Sequence, residues 1–321
     1  MAITVALAGD TMLGRGVGMR IAESGPHGLF SGGVRDAFAE ADLALLNLEC
    51  CVSDRGRPWE APGKPFHFRA PPAAVDALAE LGVDCVTLAN NHALDYGTDA
   101  LADTVDLLGR AGIRTVGAGE DLAAARVPAV LEARGTRLAV VGVTDHPADF
   151  AAGPDRPGVA YADLRRGVPD DLARRIRELR DDAGAVAVMP HWGPNMTSEP
   201  LPYVRRAARS LVDAGASLVA GSSAHVFHGV ALPVMFDMGD FIDDYIVDPI
   251  RRNDLGLLFL VTVDEGRPSR VEAVPLRLGF ARTECAQGAD HAWITERFTA
   301  ACRAFGTDVA ERDGRLVVGA L

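Results

Sequence analysis

Lysine is all but missing from this chain of 321 residues: Lys64 stands alone, and every other cationic side chain is arginine. Basic charge as a whole is short, with 32 Lys and Arg against 44 Asp and Glu, a formal net charge of −12. No sequence-wide positive field exists to grip a nucleic acid backbone or an acidic membrane surface. The expected partner is therefore a small-molecule or peptide substrate, with neither nucleic acid nor membrane; oligomeric state is left open. The five cysteines are odd in number, and none is paired as C-x-x-C, which excludes a disulfide framework or a zinc knuckle. They read as small apolar residues in a reducing compartment. Long hydrophobic runs are missing too, none approaching the roughly 18 residues of a membrane span. The first residues carry no basic segment, and their apolar run stops at Asp10, short of the about 7–15 residues of a secretion signal. The expected location is the cytoplasm. No G-x-S-x-G occurs, and the glycines at 14, 16 and 18 do not complete a dinucleotide fingerprint.

What is present is an alternation. Short apolar runs at 3–8, 43–48, 83–89, 138–143, 185–189 and 217–220 each end in a polar cluster. Between them, residues 71–81, 98–110, 170–182 and 202–214 carry helical patterns that stop at or near a glycine. Strands alternating with helices predict an α/β fold with a largely parallel sheet. After residue 230 the texture changes to strands at 234–237, 256–263 and 270–278, with Asp264-Glu265-Gly266-Arg267 as a hairpin turn. A helix over 290–305 and a strand over 315–318 follow. The Pro/Gly-rich stretch 55–72 reads as a long ordered loop or lid.

The polar residues gather at the carboxyl ends of these strands. Asp10, Glu49, Asn91, His92, His191 and His225 each lie just past one, and in an open α/β sheet those ends converge on the ligand crevice. Carboxylate, amide oxygen and imidazole together suit a divalent cation: Mn²⁺, Fe²⁺ or Zn²⁺, or Ca²⁺ or Mg²⁺ if oxygens dominate.

Gly9-Asp10-Thr11-Met12-Leu13-Gly14-Arg15, Asn47-Leu48-Glu49, Leu88-Ala89-Asn90-Asn91-His92-Ala93-Leu94-Asp95-Tyr96-Gly97, His191-Trp192-Gly193 and Gly221-Ser222-Ser223-Ala224-His225 occur in that order. Together they resemble the motifs of the capsule poly-γ-glutamate synthesis (CapA-type) family of the calcineurin-like metallophosphoesterase superfamily. Gly239-Asp240-Phe241-Ile242-Asp243-Asp244-Tyr245 is similar to a further block of that family, and the resemblance spans residues 3–280. It implies a four-layer α/β/β/α sandwich over 1–280, with 281–321 as a helix and strand packed on it.

The same resemblance implies the roles. Asp10, Glu49, Asn91, His191 and His225 would bind metal. His92 would be the acid/base residue, and Asp95 would orient it or else cap the helix that follows. His225, with a nearby acid such as Asp10 or Asp240, is a second candidate for proton transfer. Two departures stand out: Met12 and Ser222-Ser223 occupy positions where the superfamily usually has histidines, which points to one well-bound ion. Further candidates for substrate contact are Arg15, His67, Arg69, His228 and Asp240. Each has a plainer reading: a surface arginine for Arg15 and Arg69, a half-buried strand residue for His228, a bend or a brace for Asp240. The implied function is a metal-dependent hydrolase acting on a phosphoester or a γ-glutamyl or peptide amide. The alternatives are a metal-assisted epimerase at a peptide α-carbon and a non-catalytic binding module on the same fold.

Overall fold

Side chains alternate along a strand with a period of two, and here the alternation sorts them into separate cores. In Ile3–Thr11, the residues Ile3, Val5 and Leu7 enter one apolar cluster, while Ala6 and Ala8 enter another. Leu43 and Leu45 divide from Ala44, Leu46 and Leu48 in the same way. In Val186–His191, Ala187 and Met189 face the first cluster, and Val186 and Val188 face a third. Strands apolar on both faces must be covered on both. The result is three buried clusters between four layers.

The computed structural model describes residues 1–60 and 64–319. One sheet has ten strands, with the order Ala310–Arg312, Arg315–Gly319, Arg267–Gly279, Leu255–Asp264, Ile3–Thr11, Leu43–Leu48, Cys85–Thr87 and Arg114–Val116. Asp240–Ile242 pairs with the end of Ile3–Thr11, and Arg282–Cys285 with Arg267–Gly279. A six-stranded sheet runs Val230–Ala231, Val234–Met235, Leu218–Ala220, Val186–His191, Thr136–Thr144 and Ala129–Ala133. Leu7, Leu45, Val140, Ala187 and Phe259 fill the space between the sheets. The outer face of the larger sheet packs on Arg15–Ser24, Gly32–Ala39, Ala74–Glu80 and Gly97–Arg110. The outer face of the smaller one packs on Asp170–Ala183 and Pro202–Asp213. This is the expected four-layer α/β/β/α sandwich.

Ile3–Thr11, Leu43–Leu48 and Cys85–Thr87 are mutually parallel, as are Thr136–Thr144, Val186–His191 and Leu218–Ala220. Their carboxyl ends, and the polar residues after them, therefore leave each sheet along one edge. The hairpin turn falls at Glu265-Gly266, both with positive φ (49° and 74°), joining Leu255–Asp264 to Arg267–Gly279. Helices Arg15–Ser24 and Gly32–Ala39 were not legible in the sequence because glycines interrupt their patterns. A Cβ on Gly16 would meet the Phe280 ring at 2.6 Å, but that ring is exposed and free to swing away. Of the lid stretch 55–72, residues 61–63 lie outside the described residues. Its base is closed by Cys51–Val52 pairing with Arg69–Ala70.

The helix Gly288–Arg303 sends Ile294, Phe298 and Cys302 into the cluster between the sheets, and Arg315–Gly319 joins the larger sheet. Phe298→Ala should cost about 3–5 kcal/mol of stability, the usual range for deleting a buried phenyl ring. It should lower the midpoint of a single urea transition. A midpoint equal to wild type would show that this helix lies outside the cooperative core.

Candidate metal centre

The approach of two chain segments sets Asp10. Its backbone N–H donates to Gly239 O at 2.9 Å, and a Cβ on Gly9 would fall 1.9 Å from that same oxygen. Only glycine at 9 lets Gly239, itself at φ 74°, come this close. The contact lays Asp240–Ile242 along the end of Ile3–Thr11, with Asp10 paired to Asp240. Opposite, the loop after Leu218–Ala220 holds Ser223 and His225 at φ 118° and 59°. These are costly conformations for residues with a Cβ, and they are maintained by the surrounding contacts.

Asp10 Oδ1 accepts a bond from Asn47 Nδ2 at 2.7 Å, and Oδ2 one from the Ser223 N–H at 3.2 Å. His225 Nδ1 lies 2.8 Å from Asp240 Oδ1 and 3.4 Å from Asp10 Oδ2. Asn91 Oδ1 and His191 Nε2 converge at 2.9 Å. Glu49 Oε1 sits 3.7 Å from His191 Nε2 and 3.9 Å from His92 Nε2. His92 Nδ1 bonds Asp95 Oδ2. The next helix, Gly97–Arg110, has no side-chain cap, so Asp95 takes the orienting position and not the capping one.

Two groups of candidate ligand atoms, each within 4.8 Å of one another, emerge from this packing: Asp10, Glu49 and His191, and Asp10, His225 and Asp240. Asp240, expected to contact substrate, is 2% exposed and lies among the candidate ligands, its Oδ1 on His225 Nδ1. The serines that stand where histidines were expected have other work. Ser222 Oγ bonds His191 Nδ1 at 3.0 Å, and Ser223 Oγ donates to Gly193 O. Met12 points into the outer core, its sulfur accepting the Gly14 N–H.

Three other expected site residues are engaged elsewhere. His67 Nε2 bonds Trp59 O at 2.8 Å, Arg69 stacks over Tyr96 and donates to Arg55 O, and His228 Nε2 bonds Thr197 O. Arg15 stays at the rim, 3.3 Å from Asp244 Oδ2 and over Phe66, Phe68 and Tyr245.

Sequence reading missed several participants. Lys64 Nζ lies 2.8 Å from Asp95 Oδ1 and donates to Asn91 O at 2.8 Å, so the sole lysine is spent on the backbone and brace of the site. The Phe68 N–H also donates to Asp95, and its ring stacks on His92 with centroids 3.9 Å apart. Asn90 ties His92 to Asn47, accepting the His92 N–H and donating to Asn47 Oδ1. Asp237 accepts the N–H groups of Ala224 and Gly239. A basic residue inside an otherwise lysine-free chain was the one signal that could have found Lys64.

Five carboxylates thus share one buried place. Burial pushes the pKa of Asp10, Glu49, Asp240 and Asp243 up, and neighbouring carboxylates add to this at Glu49 and Asp240. Asp237 is pushed up to about 8 by burial and by Asp10. Burial pulls His92 down to about 4, outweighing its bond to Asp95. Glu49 Oε1 and Asp240 Oδ2 are buried with no hydrogen-bond partner among the described residues. Excess negative charge, unpartnered oxygens and converging imidazoles fit a divalent cation.

The family model described as bacterial capsule synthesis protein PGA_cap matches residues 4–245. The probable polyglutamine synthesis accessory protein of Mycobacterium tuberculosis is 32% identical, over 98% of this chain and 95% of its own. The PGA biosynthesis protein CapA of Bacillus subtilis is 26% identical, over 92% of this chain and 80% of its own. A hypothetical protein from Thermus thermophilus has a solved structure that superposes with a TM-score of 0.50 at 18% identity. It covers 86% of this chain and 99% of that one.

The raised carboxyl groups fix a pH dependence. A carboxyl with a raised folded-state pKa binds more protons folded than unfolded, so stability falls as pH climbs through the interval. The lowered His92 acts in the opposite sense, but only between about 4 and its ordinary 6.5. Between pH 6.5 and about 8 the contribution of Asp237 is left unopposed by His92. Metal-free protein should lose thermal stability across this window, and Mn²⁺ should raise the midpoint more at pH 8 than at pH 6.5. A midpoint of the chelated protein that rises from pH 6.5 to 8 would contradict this account.

Proposed function

Because this chain belongs to the CapA-type bacterial capsule synthesis family, we propose that it is a metal-dependent hydrolase cleaving a phosphoester or a γ-glutamyl or peptide amide. The observation that carries this reading is the pair of adjoining ligand groups sharing Asp10. They offer two neighbouring positions for the single ion expected from sequence, with Asn91 Oδ1 beside Glu49 and His191 at the first. When bound, a divalent cation here supplies polarisation of a substrate oxygen and a lowered pKa for bound water.

The chain's own residues do the rest. His92 Nε2 faces Glu49, and its other nitrogen is held by Asp95, so proton exchange with the scissile group falls to Nε2. Lys64 fixes Asp95 and the Asn91 carbonyl together, keeping the proton-transfer group in register with the ligand beside it. Phe68 covers one face of the His92 ring and excludes water from it. Asp240 holds the His225 ring through Nδ1.

The names of the relatives, which concern poly-glutamate and polyglutamine synthesis, favour a γ-glutamyl amide in a small molecule or peptide. They lend the epimerase alternative no support. No helix of the described residues is long and apolar enough to cross a membrane. All five cysteines are free and four are buried, in keeping with a reducing, cytoplasmic setting.

The test is turnover of an aryl phosphate panel and a γ-glutamyl anilide by chelated protein, before and after Mn²⁺, Zn²⁺ or Ca²⁺. Metal-restored hydrolysis of one class is expected, and its absence from both would overturn the reading. His92→Ala should lower kcat by roughly 10²–10⁴ while metal content stays near wild type. Asp10→Ala should lose metal first, with activity partly recovered at high metal concentration. Should His92→Ala lose the metal and Asp10→Ala keep it, the two roles are reversed.

A further inference from the structure

A second histidine–aspartate pair stands at the edge of the site. Thr136–Thr144 runs parallel to Val186–His191 with Thr144 opposite His191. The two residues that follow it, Asp145 and His146, therefore emerge at the same sheet edge as His191. The Asp145 side chain is fully buried. It accepts hydrogen bonds from the Tyr203 hydroxyl at 2.7 Å and the Gly193 N–H at 3.4 Å, and it bonds Nδ1 of His146. Asp145 is thus anchored to both sides of the loop after His191, and the imidazole it holds is fixed with it.

That imidazole faces the site. Its ring lies 5.2 Å from the ring of His191, centroid to centroid. The His146 side chain is 24% exposed, whereas those of His92, His191 and His225 are 9%, 1% and 8% exposed. It is the imidazole that a molecule arriving from solvent meets first. With Nδ1 committed to Asp145, Nε2 is the remaining polar atom, and it has no hydrogen-bond partner among the described residues.

The surroundings place this pair and the His92–Asp95 pair on one opening. Residues Ala148–Phe150 follow His146, and the lid stretch closes on them: Trp59 Nε1 donates to Asp149, and the Trp59 ring meets Phe150 edge-on at 5.2 Å. Lys64 reaches over Phe150 to Asp95. Along the site the order is His92, Glu49 Oε1, His191, His146, with separations of 3.9, 3.7 and 5.2 Å. A structural role for His146 alone would not require a buried carboxylate with three partners to hold a partly exposed ring.

We propose that His146 is a substrate-contacting residue: Asp145 fixes its ring, and Nε2 bonds an anionic oxygen of the substrate, of the phosphate or carboxylate class. This rests on the hydrolase reading for its substrate but not for its test. The experiment is calorimetric titration of Mn²⁺-loaded protein with inorganic phosphate in one arm and glutarate in the other. Wild type, His146→Ala, His146→Gln and Asp145→Asn are compared, with metal content and thermal midpoint measured on each.

One anion should bind, showing which oxygen class the site accepts. His146→Ala should weaken that binding roughly 10-fold, as expected for one hydrogen bond to a charged group, with metal content and midpoint unchanged. His146→Gln, whose amide reaches toward the Nε2 position, should recover part of the loss, and Asp145→Asn should fall between. Equal affinity in wild type and His146→Ala overturns the proposal. So does loss of metal in His146→Ala, or a metal-loaded wild type that binds neither anion. Anion binding that depends on His146 without hydrolysis of either substrate class would leave this proposal standing and remove the hydrolase reading.

Discussion

Everything in this molecule answers to the burial of five carboxylates, Asp10, Glu49, Asp237, Asp240 and Asp243, at one edge of two stacked sheets. None is more than 7% exposed. Burying ionised carboxylates is costly, and like charges packed together add to the cost. The chain offsets part of it with backbone donors: Ala224 and Gly239 to Asp237, Ser223 to Asp10, and Tyr245 to Asp243. It offsets another part with one imidazole, His225, whose pKa burial lowers but the surrounding acids raise further. What is left over, on Glu49, Asp240 and Asp243, has no protein partner among the described residues. A site that keeps charge unanswered in its interior is built around something positive that comes from outside.

The sandwich supplies the rigidity this needs. Two sheets separated by Leu7, Leu45, Val140 and Phe259 cannot slide without opening the core between them. Asp10 and Glu49 come from one sheet, His191 and His225 from the other. The spacing of these candidate ligands is therefore tied to the spacing of the sheets, which apolar packing sets away from the site. The strained Ser223 and His225 and the glycine contact at Gly9 are local adjustments on this frame.

Much of this was legible because strand ends are legible. Apolar runs that stop at Asp10, Glu49, Asn91, His191 and His225 announce both the element and the place where it delivers a side chain, and the ordered motifs give the fold. Three kinds of information were not. Asp240 reaches Asp10 through a short parallel pairing between segments 230 residues apart, which no local pattern encodes. That Met12 turns into the core, and that Ser222 and Ser223 bond His191 and Gly193, was not legible because sequence shows which residue is present and not which way it points. His67, Arg69 and His228 have the right chemistry and neighbouring positions in the chain, but each gives one side-chain nitrogen to a backbone carbonyl, of Trp59, Arg55 and Thr197. His146 escapes the apolar pattern, which stops at 143, one residue short of the strand's end, so the pattern does not mark the two residues beyond as strand-end groups.

The single lysine has a consequence for anyone handling this protein. Surfaces of most proteins are dotted with amines, and reagents that acylate them report on the surface as a whole. Here the only lysine ammonium is 15% exposed and clasped between Asp95 and the Asn91 carbonyl. Beyond the exposed α-amino group at Met1, an amine-directed label, cross-linker or resin therefore has one side chain to find, and reaching it means parting the lid from the floor of the site. Lysine acylation, ordinarily a blunt instrument, becomes for this chain a clock for the opening of one loop.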